Sequence, residues 1–440
     1  MRFFFETYGC QMNIAESAAL RITLQERGWL AAANENDADL VIINTCSVRI
    51  TAEQRVKGRL AYYTALKKKL TPAPLTVLVT GCMASRIGSA LIESGADFVL
   101  GTEEKQFFPA ILEAIEAGKK DIAYNGRTEN SFIFSKNYYT EGTFRSFVPI
   151  MHGCNNFCSY CIVPYVRGRE ISRSPSEIIF EINELAKKGV LEITLLGQNV
   201  NSYLWEDGSK KYFFADLLKI IAGTAAGTSI KWVRFLSSHP KDLSENTINV
   251  IKENNCFCRH IHLCVQHGSN KILKAMNRRY TRERYLELVD TLRCAMPGIT
   301  ISTDILVGFP GETEADFEEI LTLMESVKFL YSYMYHYNPR EGTAAFTLPD
   351  RVDDETKKRR LSCVIELQQK HTRLALCSRL GTNENVLIEG VSKKNRAELV
   401  CRTERDEMAV AAGGVSGIGS FAKITLDSIN GNTFRGTFIL

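Results

Sequence analysis

The first 117 residues alternate short apolar runs with longer amphipathic stretches. Segments 2–7, 40–44, 75–80 and 98–100 are rich in Val, Ile, Leu and Phe, as strands buried on both faces are. Helical spacing fills 13–27 and 52–69 between them, and the alternation predicts a parallel sheet flanked by helices over 1–117. Residues 118–139 lose the pattern, turn polar and include Asn125-Gly126, which predicts a linker. The alternation resumes over 140–373, with strands expected at 147–151, 192–196, 232–236, 260–265, 300–306 and 331–337. Helices are expected at 175–188, 245–254 and 283–294, so this part reads as a partial or full α/β barrel with its site at the strands' C-terminal ends. A charged helix over 353–379 leads out. Over 376–440 five short segments (385–389, 397–403, 408–411, 421–426 and 433–439) are separated by turns such as Gly413-Gly414 and Asn430-Gly431. They predict a small all-β barrel of the kind that binds oligonucleotides. The expected fold class is α/β: an amino-terminal parallel-sheet lobe, a central partial barrel and a small carboxy-terminal β-barrel.

Composition narrows the class. The chain has 440 residues, 45% hydrophobic and 24% charged, which sets aside disordered, collagen-like and coiled-coil proteins. No apolar run reaches the ~20 residues needed to span a bilayer, and the start meets Glu6 too soon for a signal peptide. A cytoplasmic protein without a membrane partner is expected. The net charge of +4 permits nucleic-acid binding without announcing it. Thirteen cysteines, an odd number in a long chain with no secretory signal, point to metal or iron–sulfur chemistry in place of a disulfide framework.

The strongest motif is Cys154-Asn155-Asn156-Phe157-Cys158-Ser159-Tyr160-Cys161, just after the first expected barrel strand. Three thiolates at this spacing can hold three irons of a cubane cluster and leave the fourth open to chelate S-adenosylmethionine. A zinc site is the competing reading, but no fourth Cys or His stands near. This spacing resembles the signature of the radical S-adenosylmethionine superfamily. Two further strand-end segments fit that resemblance: Leu196-Gly197-Gln198-Asn199-Val200-Asn201, and the stretch from Asp304 to Thr313 with Gly308, Pro310 and Gly311. The resemblance implies that Tyr160, Gln198, Asn199, Ser237, Gly308 and Pro310 bind the cofactor, the glycines allowing close backbone approach to it. It implies no side chain acting as acid, base or nucleophile.

Cys10, Cys46 and Cys82 recur at intervals of 36 residues, each just after an expected strand. In a parallel sheet all three would project from the edge where open α/β sheets bind ligands. A chain with two such sets resembles the methylthiotransferase family over almost all its length, ending in a TRAM barrel. Glu6-Thr7-Tyr8-Gly9-Cys10-Gln11-Met12-Asn13, Gly197 to Tyr203, and Glu389-Gly390-Val391-Ser392-Lys393-Lys394 resemble its tRNA branch. The resemblance implies two 4Fe–4S clusters, one on Cys154, Cys158 and Cys161, the other on Cys10, Cys46 and Cys82. It implies two S-adenosylmethionine molecules per turnover, one methylating a sulfur at the amino-terminal cluster and one giving the radical. The expected reaction is methylthiolation at C2 of the isopentenyladenosine beside the anticodon. The expected partner is the anticodon arm of tRNA, gripped around Lys393, Lys394 and Arg402, by a monomeric protein with unidentified sulfur and electron donors.

Alternatives stay open: methylthiolation of threonylcarbamoyl-adenosine tRNA or of a protein aspartate, a non-catalytic iron–sulfur RNA-binding protein, and a zinc RNA-binding protein. One departure from the family wording is His262-Leu263-Cys264-Val265-Gln266-His267-Gly268-Ser269, with Cys264 for proline and His267 for serine. His267 is expected in a surface loop. Cys256, Cys258, Cys264, Cys294, Cys363, Cys377 and Cys401 are expected to be packing thiols. The basic run 271–284 suits either phosphate contacts or a solvated helix face, and 357–360 is expected to be solvated.

Overall fold

The computed structural model describes residues 1–47, 50–69, 75–119 and 132–439. At the amino terminus five parallel strands stand in the order Leu30–Ala31, Arg2–Thr7, Leu40–Thr45, Thr76–Gly81, Phe98–Leu100. Side-chain alternation explains the two-sided burial. Leu40, Ile42 and Leu78 pack one face with Leu24, Phe108 and Ile111. Val41, Ile43, Val77 and Val79 pack the other with Val56, Leu60 and Tyr63. Of the expected linker, 120–131, including Asn125-Gly126, lies outside the described residues. Its end is packed: Phe132 stacks on His152 at 3.6 Å between ring centroids, and Tyr138 and Tyr139 are buried.

The central part is an open barrel of six parallel strands, Arg145–Pro149, Glu192–Leu196, Trp232–Phe235, His260–His262, Thr300–Val307 and Tyr331–His336. They form two three-stranded sheets joined by the bridges Val233↔Phe257 and Ser238↔Leu263. The hairpin of Leu204–Asp207 with Lys210–Phe213 was not legible, because its Lys, Glu and Asp residues hide any strand pattern. The helix Asp354–Cys377 packs along Tyr331–His336 and leads to the last domain. The expected solvated run 357–360 holds for Lys358 and Arg359 but not for its two ends. Lys357 and Arg360 are buried, Arg360 on Glu312 and Glu314, because the amphipathic helix turns these stems inward.

The carboxy-terminal strands close a five-stranded barrel around Val386, Ile388, Leu399, Cys401, Ile424, Leu426 and Phe434. Its Thr403–Asp406 turn seals the N-terminal mouth of the central barrel. Arg234 donates to the carbonyls of Thr403 (2.9 Å) and Glu404 (3.1 Å), the Tyr331 hydroxyl donates to Asp406 (2.7 Å), and Thr300 donates to the Arg405 carbonyl (2.9 Å). Arg145 pairs with Glu389 beside it. Arg234, Thr300 and Tyr331 at those strand ends therefore have partners, as burial demands.

Candidate metal centres and cofactor site

Strand register brings the amino-terminal cysteines together. Thr7 pairs with Asn44 and Thr45 with Gly81, so Cys10, Cys46 and Cys82 leave three adjacent strands at one edge. Cys46 and Cys82 are buried and Cys10 is exposed. Asn13 ties the edge, donating to the carbonyls of Tyr8 (3.1 Å) and Thr45 (2.8 Å). Gly9 has a φ of +132°, and a Cβ there would stand 2.9 Å from Cys46 Cβ. Burial pushes the Cys82 thiol up, against the pull of Arg167. Arg167 comes from the central part, is itself buried, and shares Glu16 with Lys105. Burial opposes ionisation of Glu16, but Arg167 and Lys105 overcome it and hold its carboxyl at about 2.

The second set sits on a loop pinned from several sides. Cys154 N–H donates to the Gly168 carbonyl (3.2 Å), Ser159 N–H to the Met276 carbonyl (3.0 Å), and Lys241 to Asn156 Oδ1 (3.0 Å). Phe157 takes a φ of +48°, a left-handed conformation that a non-glycine residue adopts only when its surroundings impose it. Arg278, buried, donates to Cys158 Sγ at 3.5 Å. Burial pushes the Cys154 thiol up to about 11 and raises that of Cys161, so neither ionises readily without a bound cation. The helix Val163–Arg167 joins the two sets: it starts beyond Cys161, and Ile162 and Val166 pack on Cys82.

The spacing of the thiols separates a cluster from a single ion. Among the described residues, the one group of three such donors lying within 4.8 Å of one another is His262, Cys264 and Asp304. Neither cysteine triplet is that tight. Thiolates around one zinc, at Zn–S distances of about 2.3 Å, would be. Neither triplet is therefore closed around one zinc-sized ion.

Above the cysteine loop, Gln198 Oε1 and Ser238 Oγ are buried without a hydrogen-bond partner, and Ser237 (φ +65°) and Gln266 (φ +72°) hold left-handed backbone at successive strand ends. These suit a polar ligand at the C-terminal ends. Tyr160 packs beside Met276, Phe309 and Tyr337. Other expected cofactor contacts already have internal partners. Asn199 donates to Asp242 (2.7 Å) and accepts from His239 N–H (3.2 Å). Gly308 and Phe309 N–H both donate to Glu312, Pro310 is buried, and a Cβ on Gly308 would lie 2.4 Å from Lys357 Cγ. The glycine thus serves the packing of Lys357.

His267 is fully buried, not in a surface loop. It faces Glu312 at 3.2 Å and accepts from Ser269 N–H, partners that a histidine between two packed turns requires. The basic run 271–284 is largely committed: Lys271 to Asp316, Arg278 to the cysteine loop, Arg282 to the Glu319 carbonyl. Sequence reasoning missed Arg278, Arg167 and Glu16. Arg278 lay inside a run read as one surface, and the other two carry no spacing signal. Lys393 and Lys394 are exposed and line a concavity of about 490 Å³ with Arg145 and Arg435. Arg402 does not line it, because Glu389 and Asp406 hold its guanidinium (2.6 and 2.7 Å) at the central cavity.

That cavity, about 690 Å³, opens between all three parts. Arg145, Arg234 and Arg402 on its wall are paired with Glu389, Glu192 and Asp406. Phe147, Leu236, Tyr331 and Tyr333 add apolar surface, and Ile14 brings an exposed aliphatic side chain from the amino-terminal lobe.

The Radical SAM superfamily profile matches residues 148–324, and that of uncharacterized protein family UPF0004 matches residues 2–101. A protein of Treponema denticola described as tRNA-2-methylthio-N(6)-dimethylallyladenosine synthase is 48% identical, covering 99% of each chain. One of the same description from Bacteroides fragilis is 42% identical over 99% of this chain and 95% of its own. Among solved structures, the radical S-adenosylmethionine methyltransferase TsrM of Kitasatospora setae superposes with a TM-score of 0.59 at 17% identity, covering 78% of this chain and 74% of its own. The cobalamin-dependent S-adenosylmethionine radical enzyme OxsB gives 0.51 at 11%, covering 84% and 56%. These two likenesses are of fold.

Proposed function

Because the chain belongs to the tRNA-2-methylthio-N(6)-dimethylallyladenosine synthase family, a family of radical S-adenosylmethionine methylthiotransferases, we propose that it methylthiolates C2 of an isopentenylated adenosine beside the tRNA anticodon. Cys154, Cys158 and Cys161 would hold one 4Fe–4S cluster and S-adenosylmethionine; Cys10, Cys46 and Cys82 would hold the second. When bound, these groups supply one-electron cleavage of S-adenosylmethionine and a transferable sulfur.

The chain's own residues do the rest. Arg278 sets a fixed positive charge against Cys158, and Gln198 Oε1 and Ser238 Oγ offer acceptors at the strand ends. The Thr403–Asp406 turn caps the far ends of the strands, with Arg234 held on the Thr403 and Glu404 carbonyls. The observation that carries the substrate reading is the central cavity. Its arginines are neutralised by their partners, its rings at Phe147, Tyr331 and Tyr333 suit a purine face, and Ile14 and Leu236 suit an apolar tail. A threonylcarbamoyl group, which is anionic, finds no uncommitted cation among the described residues that line it. Lys393, Lys394 and Arg435 offer phosphate contacts for the anticodon arm nearby.

The test is anaerobic reconstitution with iron and sulfide, then reaction with isopentenylated tRNA, unmodified tRNA and threonylcarbamoylated tRNA, with mass analysis of the nucleosides. The methylthio product is expected from the first alone. Its absence from cluster-loaded protein, or equal product from the others, rejects the assignment.

A further inference from the structure

Cys264 shares the barrel lumen with His262 and Asp304. Their donor atoms lie within 4.8 Å of one another. Hydrogen-bond direction fixes the histidine. Thr300 Oγ1 bonds to the carbonyls of Arg405 (2.9 Å) and Arg259 (3.2 Å), which only accept, so the Thr300 oxygen receives a proton from His260 Nδ1 at 2.8 Å. Neutral His260 must then accept at Nε2. The Tyr331 hydroxyl gives its proton to Asp406, so the donor to His260 Nε2 is Ser302 Oγ, at 2.9 Å. With that proton used, Ser302 Oγ can only accept from His262 Nδ1, also at 2.9 Å. His262 Nδ1 therefore carries a proton, and Nε2 is the ring nitrogen that faces Asp304.

Nε2 and Asp304 Oδ2 stand 3.6 Å apart. That is too long for a hydrogen bond. Burial disfavours charge on His262, but Cys264 and Asp304 pull its pKa well up, so the three donors gather around one positive centre, a place a cation can take from the imidazole's own proton. The separation suits two ligands of one tetrahedral cation with bonds of about 2.0–2.1 Å. The second nitrogen of the histidine is anchored, as metal-binding imidazoles usually are. We propose that His262 Nε2, Cys264 Sγ and Asp304 bind a divalent cation of borderline softness, zinc by its N, S and O donors, with the fourth position open to the lumen. The Cys264 carbonyl accepts from Arg278, which also contacts Cys158, so the site adjoins the radical-generating loop. A metal-bound thiolate has no S–H hydrogen to surrender to a carbon radical formed there.

The test adds one equivalent of zinc chloride to cluster-loaded protein, anaerobically and after removal of excess iron, and measures retained zinc after gel filtration. About one zinc per chain is expected, with a zinc-edge absorption spectrum showing one sulfur neighbour and the remainder nitrogen or oxygen. C264S and D304N should each weaken retention at least tenfold while iron and sulfide content stay unchanged. No retained zinc, a spectrum with three or four sulfurs, or equal retention by both variants would overturn the proposal. The wild-type spectrum decides even if one variant does not fold.

Discussion

Gly81 leaves its strand with a φ of +95°, and a Cβ there would meet the Thr45 carbonyl oxygen at 2.5 Å. Gly81→Ala should therefore cost about 2–3 kcal/mol of stability, read by chemical denaturation, and lower iron retention at Cys10, Cys46 and Cys82 while sparing the other triplet. Two exposed lysines and one held arginine separate binding from structure on the last barrel. Lys393→Ala and Lys394→Ala should each weaken tRNA binding and reduce its salt slope by about one. Arg402→Ala should leave that slope unchanged and lower the thermal midpoint, because Glu389 and Asp406 are left with Arg145 and Arg234 alone. At the cavity, Ile14→Asp should raise KM for isopentenylated tRNA at least tenfold, because a charge would replace aliphatic surface facing the expected prenyl tail.

Among the elements, the short helix Val163–Arg167 carries the contact between amino-terminal lobe and barrel. Arg167 and Glu16 are both buried and bonded at 2.8 Å. Glu16→Gln strands two buried cations and should cost about 3–5 kcal/mol, seen as earlier unfolding of the amino-terminal lobe and faster proteolysis between the two parts. This pairing also marks where sequence reading stops. Strands such as Arg2–Thr7, Phe98–Leu100, Glu192–Leu196 and Thr433–Ile439 were legible because burial on one or two faces imposes a period. Both cysteine triplets were legible because local spacing encodes them. The Glu16–Arg167 bond spans 151 residues and depends on how finished lobes dock, which no local period records. His267, Lys357 and Arg360 were misjudged for the same reason: polar side chains look solvated until their partners on distant segments are known.

For the molecule as a whole, the seal between the last barrel and the central one is built on titratable groups. His260 is held neutral, its pKa lowered to about 4 by burial despite the pull of Asp406. Asp406 is ionised: burial opposes this, but His260, Arg402, Arg234 and the Tyr331 hydroxyl hold it at about 2. Both folded values lie below the unfolded ones, so both groups add stability in full above about pH 6.5. That contribution fades as pH falls, first for His260 between about 6.5 and 4, then for Asp406 between about 4 and 2. The charged residues facing the pair are Arg234 and Glu192 from the central barrel, with Arg402 and Glu404 from the last. Thermal midpoints measured from pH 8 downward should decline through this window. Asp406→Asn should start lower at neutral pH, and its His260-linked decline should extend to lower pH, because Asp406 no longer pulls that pKa up.

One short helix begins just past Cys161 and packs Val166 on Cys82, so a single partition stands between the two cysteine triplets. Displacing that partition, as Val166→Asp should, is expected to lower iron retention at both triplets together, read by iron analysis after reconstitution.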